Sequence, residues 1–279
     1  MKKIFAFCNQ KGGVGKTTSV INISAALSKK GYKVLIIDLD SQANATSGVG
    51  EEKPEIESTS YQLIVENSNV GQIVRQTAFE NLSIIPSNMD LSGAELELVS
   101  QMRREYKLKD RIAEVADKFD FIFLDCPPSL GLITINALTA SDYLIIPLQC
   151  EYYALEGVSQ LVNTFQLVKK NLNPTLEIGG VLMTMADPRT NLTQQVIEEV
   201  KGFFKEKVFN SIIPRAVKLS EAPSFGKPAV FYDAGNRGSK NYVLAAEEFE
   251  KRFSNKFLQE VKKEELAASA EPQVQENLS

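Results

Sequence analysis

Histidine is absent from this 279-residue chain. Imidazole acid–base chemistry and His-ligated metal centres are thereby excluded. Cysteine is scarce: Cys8, Cys126 and Cys150 stand far apart, form no CxxC pair and are odd in number. That usage argues against a disulfide framework and suits a reducing, cytoplasmic setting. No segment approaches the ~18 uninterrupted apolar residues of a membrane span. The opening "MKKIFAFCNQKGG" is basic and then apolar, as a signal peptide would be, but its apolar part is short and runs straight into glycines, so it reads as a first strand. Neither sign of charge dominates: 31 Lys and Arg against 35 Asp and Glu leave a net of −4. Any binding to nucleic acid or anionic membrane therefore needs a local patch. What remains is ordinary soluble-protein composition, 43% hydrophobic and 24% charged, enough for a substantial core.

Short apolar runs recur along the chain. "KIFAFC" (3–8), "KVLIIDLD" (33–40), "LSIIPS" (82–87), "FDFIFLDCP" (119–127), "DYLIIPLQC" (142–150), "LEIGGVLMT" (176–184) and "VFNSIIP" (208–214) have the continuous, β-branched character of strands covered on both faces. Helical patterns fall between them, over 16–30, 91–117, 130–140, 151–171, 190–207 and 239–262. This alternation predicts an α/β fold with a single doubly wound, mostly parallel sheet. Ligands in such sheets bind at the carboxyl ends of strands. Residues 1–253 show no internal repeat or long linker and read as one domain. Residues 254–279 turn Ala/Ser/Glu/Gln-rich and read as a helical end leading to a disordered acidic tail.

The loops after the runs carry the chemistry. "NQKGGVGKTTS" (9–19) follows the first strand and opens a helix. The phosphate-loop pattern G-x-x-x-x-G-K-[ST] ends here on Gly15-Lys16-Thr17. Its first glycine is replaced by Gln10, and an additional lysine, Lys11, follows. Gly12, Gly13 and Gly15, with Val14 between them, can turn backbone N–H groups toward phosphate at the positive end of the helix. Lys16 should reach the terminal phosphates, Thr17 should ligate Mg²⁺ and Thr18 should bond the α-phosphate. Asp38 and Asp40, two apart at a strand end, are expected to point the same way. Asp38 could hold Mg²⁺ through water, and Asp40 could orient or deprotonate an attacking water. Asp125, closing "FIFLD", has the Walker B arrangement and would be the second carboxylate on Mg²⁺. Pro127 and Pro128 make a stiff loop beside the γ-phosphate.

"KGGVGKTT", together with "DLDSQANATSG", "LDCPPSLGLITINALTASD", "QCEYYALEG", "TNLTQQVIEEVK" and "IPRAVKLSEAPSFGKP", resembles the ParA/Soj group of the ParA/MinD ATPases. These deviant Walker A proteins are P-loop NTPases, and the resemblance covers residues 1–252. It implies an ATP- and Mg²⁺-dependent hydrolase that partitions DNA. Lys11 would reach across a face-to-face homodimer to the partner's nucleotide, and Gly12 would lie at the subunit junction. Adenine would rest near Pro214, Ala216 and Met185. The paired form would bind double-stranded DNA without sequence preference through Arg189, Arg215 and Lys218. A ParB-like centromere-binding protein would stimulate hydrolysis, and the protein would be associated with the nucleoid. Lys218 stands where an arginine is common, which keeps charge and loses the fork geometry. Residues 201–252 hold ten Lys and Arg against six Asp and Glu, a local excess that suits phosphate binding and equally suits solvated helices.

Three other readings share the superfamily. A MinD-like membrane ATPase needs a basic amphipathic carboxyl-terminal helix. Phe253, Phe257, Leu258 and Val261 give only a partial stripe, and residues 253–279 carry three lysines against five glutamates. An iron–sulfur ATPase needs suitably placed cysteines, whereas Cys8, Cys126 and Cys150 read more simply as small buried groups. A ParA-like ATPase could instead position a plasmid or another cargo.

Overall fold

The computed structural model describes residues 3–51, 58–66, 68–151 and 154–254. Seven strands form one sheet: β1 (Lys3–Phe7), β2 (Val34–Asp38), β3 (Arg75–Gln76), β4 (Leu82–Ile85), β5 (Phe121–Asp125), β6 (Tyr143–Gln149) and β7 (Glu177–Thr184). Their order is β3-β4-β2-β5-β1-β6-β7. All neighbours run parallel except β3, a two-residue antiparallel edge. The doubly wound sheet expected from the alternation is thus observed. Strands β2, β4 and β5 are buried throughout, which explains why their sequences are continuously apolar rather than alternating.

Each face of the sheet carries its own core. On one face, the helices Lys16–Lys29 and Arg237–Phe253 cover an aromatic cluster. Phe5 stacks against Phe249 at 4.5 Å and Phe253 at 5.0 Å between ring centres. On the other face, Leu35, Ile37, Leu124, Leu144 and Ile146 pack beneath the helices Leu91–Val99, Leu132–Ala140, Glu156–Asn171 and Asn191–Phe204. Chain direction reverses about β1: it first winds outward through β2, and later β6 joins β1 on the opposite side. That reversal opens a crevice at the carboxyl end of β1, where a ligand belongs.

Three expectations about elements need correction. The 208–214 run is not a strand. It runs beside β7 and its C-terminal extension through isolated bridges at Val181–Val208 and Ala186–Pro214, with Phe209 and Ile213 N–H donating to the Val181 and Met183 carbonyls. Between those bridges the N–H groups of Asn210 and Ser211 donate to the Glu248 carboxylate at 2.9 and 3.0 Å, which removes them from any ladder. The 91–117 helix is broken into Leu91–Val99, a 3₁₀ turn Arg104–Tyr106, Lys107–Ile112 and a 3₁₀ turn Ala116–Lys118. Arg103 takes a left-handed conformation at φ 55°. Buried Asn136 bridges the break, donating to the Arg104 carbonyl and accepting from Leu108 N–H. Finally, the helix expected over 239–262 spans Arg237–Phe253, and Ser254 is already extended. The predicted acidic tail lies outside the described residues from 255 onward.

Candidate functional site

The phosphate loop is built as its glycines require. Gly13 and Gly15 take φ of 72° and 86°, in the left-handed region that side chains avoid. Gly15 is the N-cap of the Lys16–Lys29 helix, so the unpartnered N–H groups of its first turn face the loop. Two contacts that sequence reasoning missed pin this loop. Thr184, ending β7, donates its hydroxyl to the Val14 carbonyl at 2.8 Å. Buried Asn9 bonds the Pro147 carbonyl at 2.8 Å and accepts from Lys11 N–H at 3.0 Å. Gly12 is different from its neighbours: its φ is not left-handed, and an added Cβ would meet nothing closer than Pro128 at 4.0 Å. A single subunit therefore has room for a side chain there.

Lys16 is buried, and its ammonium donates to the Lys11 carbonyl at 3.2 Å. Burial lowers its pKa, while Asp125 in particular pulls it back up. The two lysines part company here. Lys16 points into the protein. Lys11 is half exposed and ion-pairs with Glu151, just past β6.

The carboxylates lie at and just past neighbouring strand ends. Asp38 ends β2 and is in register with Asp125, which ends the neighbouring β5. Both are fully buried. Asp38 is aligned with Asp125 across the sheet, and Asp40, just beyond the strand, is close enough for its charge to raise both of them. Asp40 is half-buried, and its N–H donates to Asp38 Oδ1 at 3.1 Å. Its own Oδ1 accepts from Gln42 N–H at 3.0 Å. Thr46 holds the other oxygen of Asp38 through its N–H at 2.9 Å and its hydroxyl at 2.7 Å.

Electrostatics mark this pair as incomplete by itself. Burial pushes Asp38 up to about 6, against the Thr46 bonds that favour its charged form. Burial and then the Asp38 charge push Asp125 well above the usual carboxylate range. Neither Asp125 oxygen has a hydrogen-bond partner, although the Thr17 hydroxyl and Lys16 are near enough to counter the rise. Two buried carboxylates, one of them without a bonded oxygen, beside a threonine hydroxyl and a phosphate cradle fit a hard divalent cation that also binds phosphate oxygens and water. Among the described residues no three Cys, Asp or Glu converge to hold an ion unaided. The cation's remaining ligands would have to come from nucleotide and water, as is usual for Mg²⁺.

Next to the loop lies a cavity of about 100 Å³, lined by Gly15, Thr18, Met185, Pro214, Ala216 and Tyr242 among others. It gathers all three residues expected at the base. Met185 is held at φ 52°. The Ala186–Pro214 bridge, through Ala186 N–H to Ile213 and Arg215 N–H to Ala186, places its two sides together. Tyr242, at its back, bonds Ser19 at 3.1 Å and joins the last helix to the loop helix.

The three basic residues expected on DNA come from adjoining segments. Arg189 and Arg215 flank the Ala186–Pro214 bridge, and Lys218 lies in the helical turn Val217–Glu221 that follows. Two carry acidic partners. Arg189 grips Asp187 with two bonds of 2.7 and 2.9 Å, and Asp187 is held down at about 2 by them. Lys218 meets Glu221 at 2.8 Å. All three cysteines are buried free thiols, and among the described residues no cluster of metal-binding side chains includes them.

Comparison with known proteins agrees with this architecture. A family model described as an AAA domain matches residues 2–178. The chain is 55% identical over 248 residues to the sporulation initiation inhibitor protein Soj of Bacillus subtilis, covering 89% of this chain and 98% of that one. It is 48% identical over 250 residues to the chromosome partitioning protein ParA of Myxococcus xanthus, covering 90% and 88%. Among solved structures, a protein described as cobyrinic acid a,c-diamide synthase from Mycobacterium smegmatis, with bound ATP analogue and magnesium, superposes with a TM-score of 0.80. It is 33% identical and covers 91% of this chain and 97% of that one.

Proposed function

The chain belongs to the ParA/Soj family within the ParA/MinD ATPases, and from that membership we propose that it is a DNA-partitioning ATPase whose nucleotide state controls pairing. The observation that carries this reading is the division of labour between two lysines on one loop. Lys16 is drawn inward beside Asp125, whereas Lys11 is held outside at Glu151. One lysine serves the subunit's own nucleotide; the other is available to a second subunit.

The residues fit Mg²⁺ and ATP. Mg²⁺, when bound, would neutralise phosphate charge and polarise the terminal phosphoryl group. Asp38, Asp125 and Thr17 would hold it. Gly13, Gly15 and the start of the Lys16–Lys29 helix would direct N–H groups at the phosphates, with Lys16 and Thr18 beside them. Met185, Pro214 and Ala216 would enclose the base. Asp40, tethered to Asp38 but half open to solvent, would orient the attacking water. Lys11 would stabilise the γ-phosphate of the partner in trans, the logic of an arginine finger. Gly12 would sit at the junction, where its missing side chain matters only in the pair.

The paired form would present Arg189, Arg215 and Lys218 to DNA phosphates, and hydrolysis stimulated by a ParB-like protein would release it. Among the described residues no helix is long and apolar enough to cross a membrane, and the relatives favour partitioning over MinD-like membrane positioning. Size-exclusion chromatography of Asp40→Ala with ATP against ADP, with and without DNA, tests the reading. A pair that forms only with ATP and then retains DNA is expected; a monomer under both nucleotides would overturn it.

A further inference from the structure

Resting on the reading of Lys11 as the trans-acting cation, we propose that Glu151 is its resting dock, a positioning residue that withholds Lys11 from its own nucleotide and sets the ATP level at which two subunits pair. Lys11 and Glu151 are 140 positions apart in sequence. They meet because β1 and β6 are sheet neighbours, so the loops leaving their carboxyl ends adjoin.

Both ends of the contact are anchored. Glu151 Oε2 accepts from Lys11 Nζ, and Oε1 accepts from the Gln149 side-chain amide. Glu151 N–H also donates to the Gln149 carbonyl at 2.8 Å. On the other side, Lys11 N–H is held by Asn9, itself bonded to Pro147 on β6. The lysine backbone and the carboxylate are thus tied to the same strand end. A shallow cavity of about 450 Å³, lined by Gln10, Lys11, Glu156, Gly157 and Gln160, adjoins the pair and leaves the lysine stem room to swing.

The strength of the contact suits an exchangeable dock. The side chains are 54% and 48% exposed, and pairs this open to water are weak. A γ-phosphate enclosed at a subunit junction carries more charge in a lower dielectric and would outcompete one solvated carboxylate. Without Glu151, the free ammonium could settle on its own subunit's phosphates or hover unpaired. With it, Lys11 is released only to a better anion offered from outside. ADP offers no γ-phosphate, so Lys11 returns.

Titration of pairing by light scattering, using a non-hydrolysable ATP analogue with Mg²⁺, compares wild type, Glu151→Gln and Lys11→Gln. Glu151→Gln keeps the size of the side chain and its bond to Gln149. It should lower the analogue concentration for half-maximal pairing about two- to five-fold at low salt, the range an exposed ion pair is worth. The difference should close at about 0.5 M salt, where charges are screened within a few Å. Reductively ¹³C-methylated ligand-free protein should show the Lys11 resonance shifted in Glu151→Gln. A pairing threshold that is unchanged or raised at low salt, or an unmoved Lys11 resonance, overturns the proposal. If Lys11→Gln pairs like wild type, the underlying reading of Lys11 fails as well. If Lys11→Gln stays monomeric while Glu151→Gln titrates as wild type, only the dock fails.

Discussion

Asp125→Asn should stabilise the ligand-free protein while disabling it. The carboxylate is fully buried and in register with Asp38, with the Thr17 hydroxyl and Lys16 as its polar neighbours. Its pKa lies well above the ordinary value because burial and the Asp38 charge disfavour ionisation. The folded state therefore keeps a proton that the unfolded chain releases above pH ~4. Stability from this group is complete below that pH and is lost as pH rises toward the folded value. The loss runs at about 1.4 kcal/mol per pH unit, since one proton separates the two states. Asparagine removes the slope. Relative to wild type, the variant should match at pH 4 and gain as pH rises above it, by at most about 1.4 kcal/mol per pH unit. Asp38, pushed up to about 6 by burial, adds its own loss of stability with rising pH in both proteins. Urea unfolding at half-unit pH steps measures the difference directly. Adding Mg²⁺ and ATP should favour wild type: at a hundred-fold excess over Kd it gains about 2.7 kcal/mol, and the variant gains less. Parallel pH profiles for the two proteins, or a variant less stable than wild type at pH 8 without ligand, would refute the reasoning.

Gly12→Val should bind ATP and melt like wild type yet stay monomeric by light scattering, because the single subunit leaves room for the added side chain. Lys16→Ala should lose nucleotide binding, measured with a fluorescent ATP analogue, since it removes the buried ammonium that stands beside Asp125 at the phosphate loop. Arg189→Glu should abolish DNA retention without changing ATP-dependent pairing. Asp187→Asn should free Arg189 and tighten DNA binding up to about five-fold at low salt, an effect that added salt erases.

The sheet was legible because every central strand is buried on both faces and so is written as an unbroken apolar run. The edge strand Arg75–Gln76 was not, because two residues carry no period. The Val208–Pro214 run shows the opposite failure: its apolar pattern is that of a strand, but Glu248, some forty residues on, takes the N–H groups of Asn210 and Ser211 in its middle. Within the site, glycine spacing and the acidic strand ends named the loop and the carboxylates. Which carboxylates face each other depended on strand order, and a sequence does not print that β2 lies beside β5. The supporting residues were silent for the same reason. Thr46, Thr184, Asn9 and Glu151 act through contacts across the fold, and each is an ordinary polar residue in its own local stretch. Thr46 and Glu151 did fall within the stretches that carried the family resemblance, "DLDSQANATSG" and "QCEYYALEG".

The central claim is that a lysine from one subunit reads the terminal phosphate held by another. Light scattering of Lys11→Gln at saturating ATP and Mg²⁺, beside wild type under ATP and under ADP, tests it most directly. Wild type should pair with ATP and not with ADP, and Lys11→Gln should bind ATP yet remain monomeric; pairing of Lys11→Gln at the wild-type ATP concentration would contradict the account.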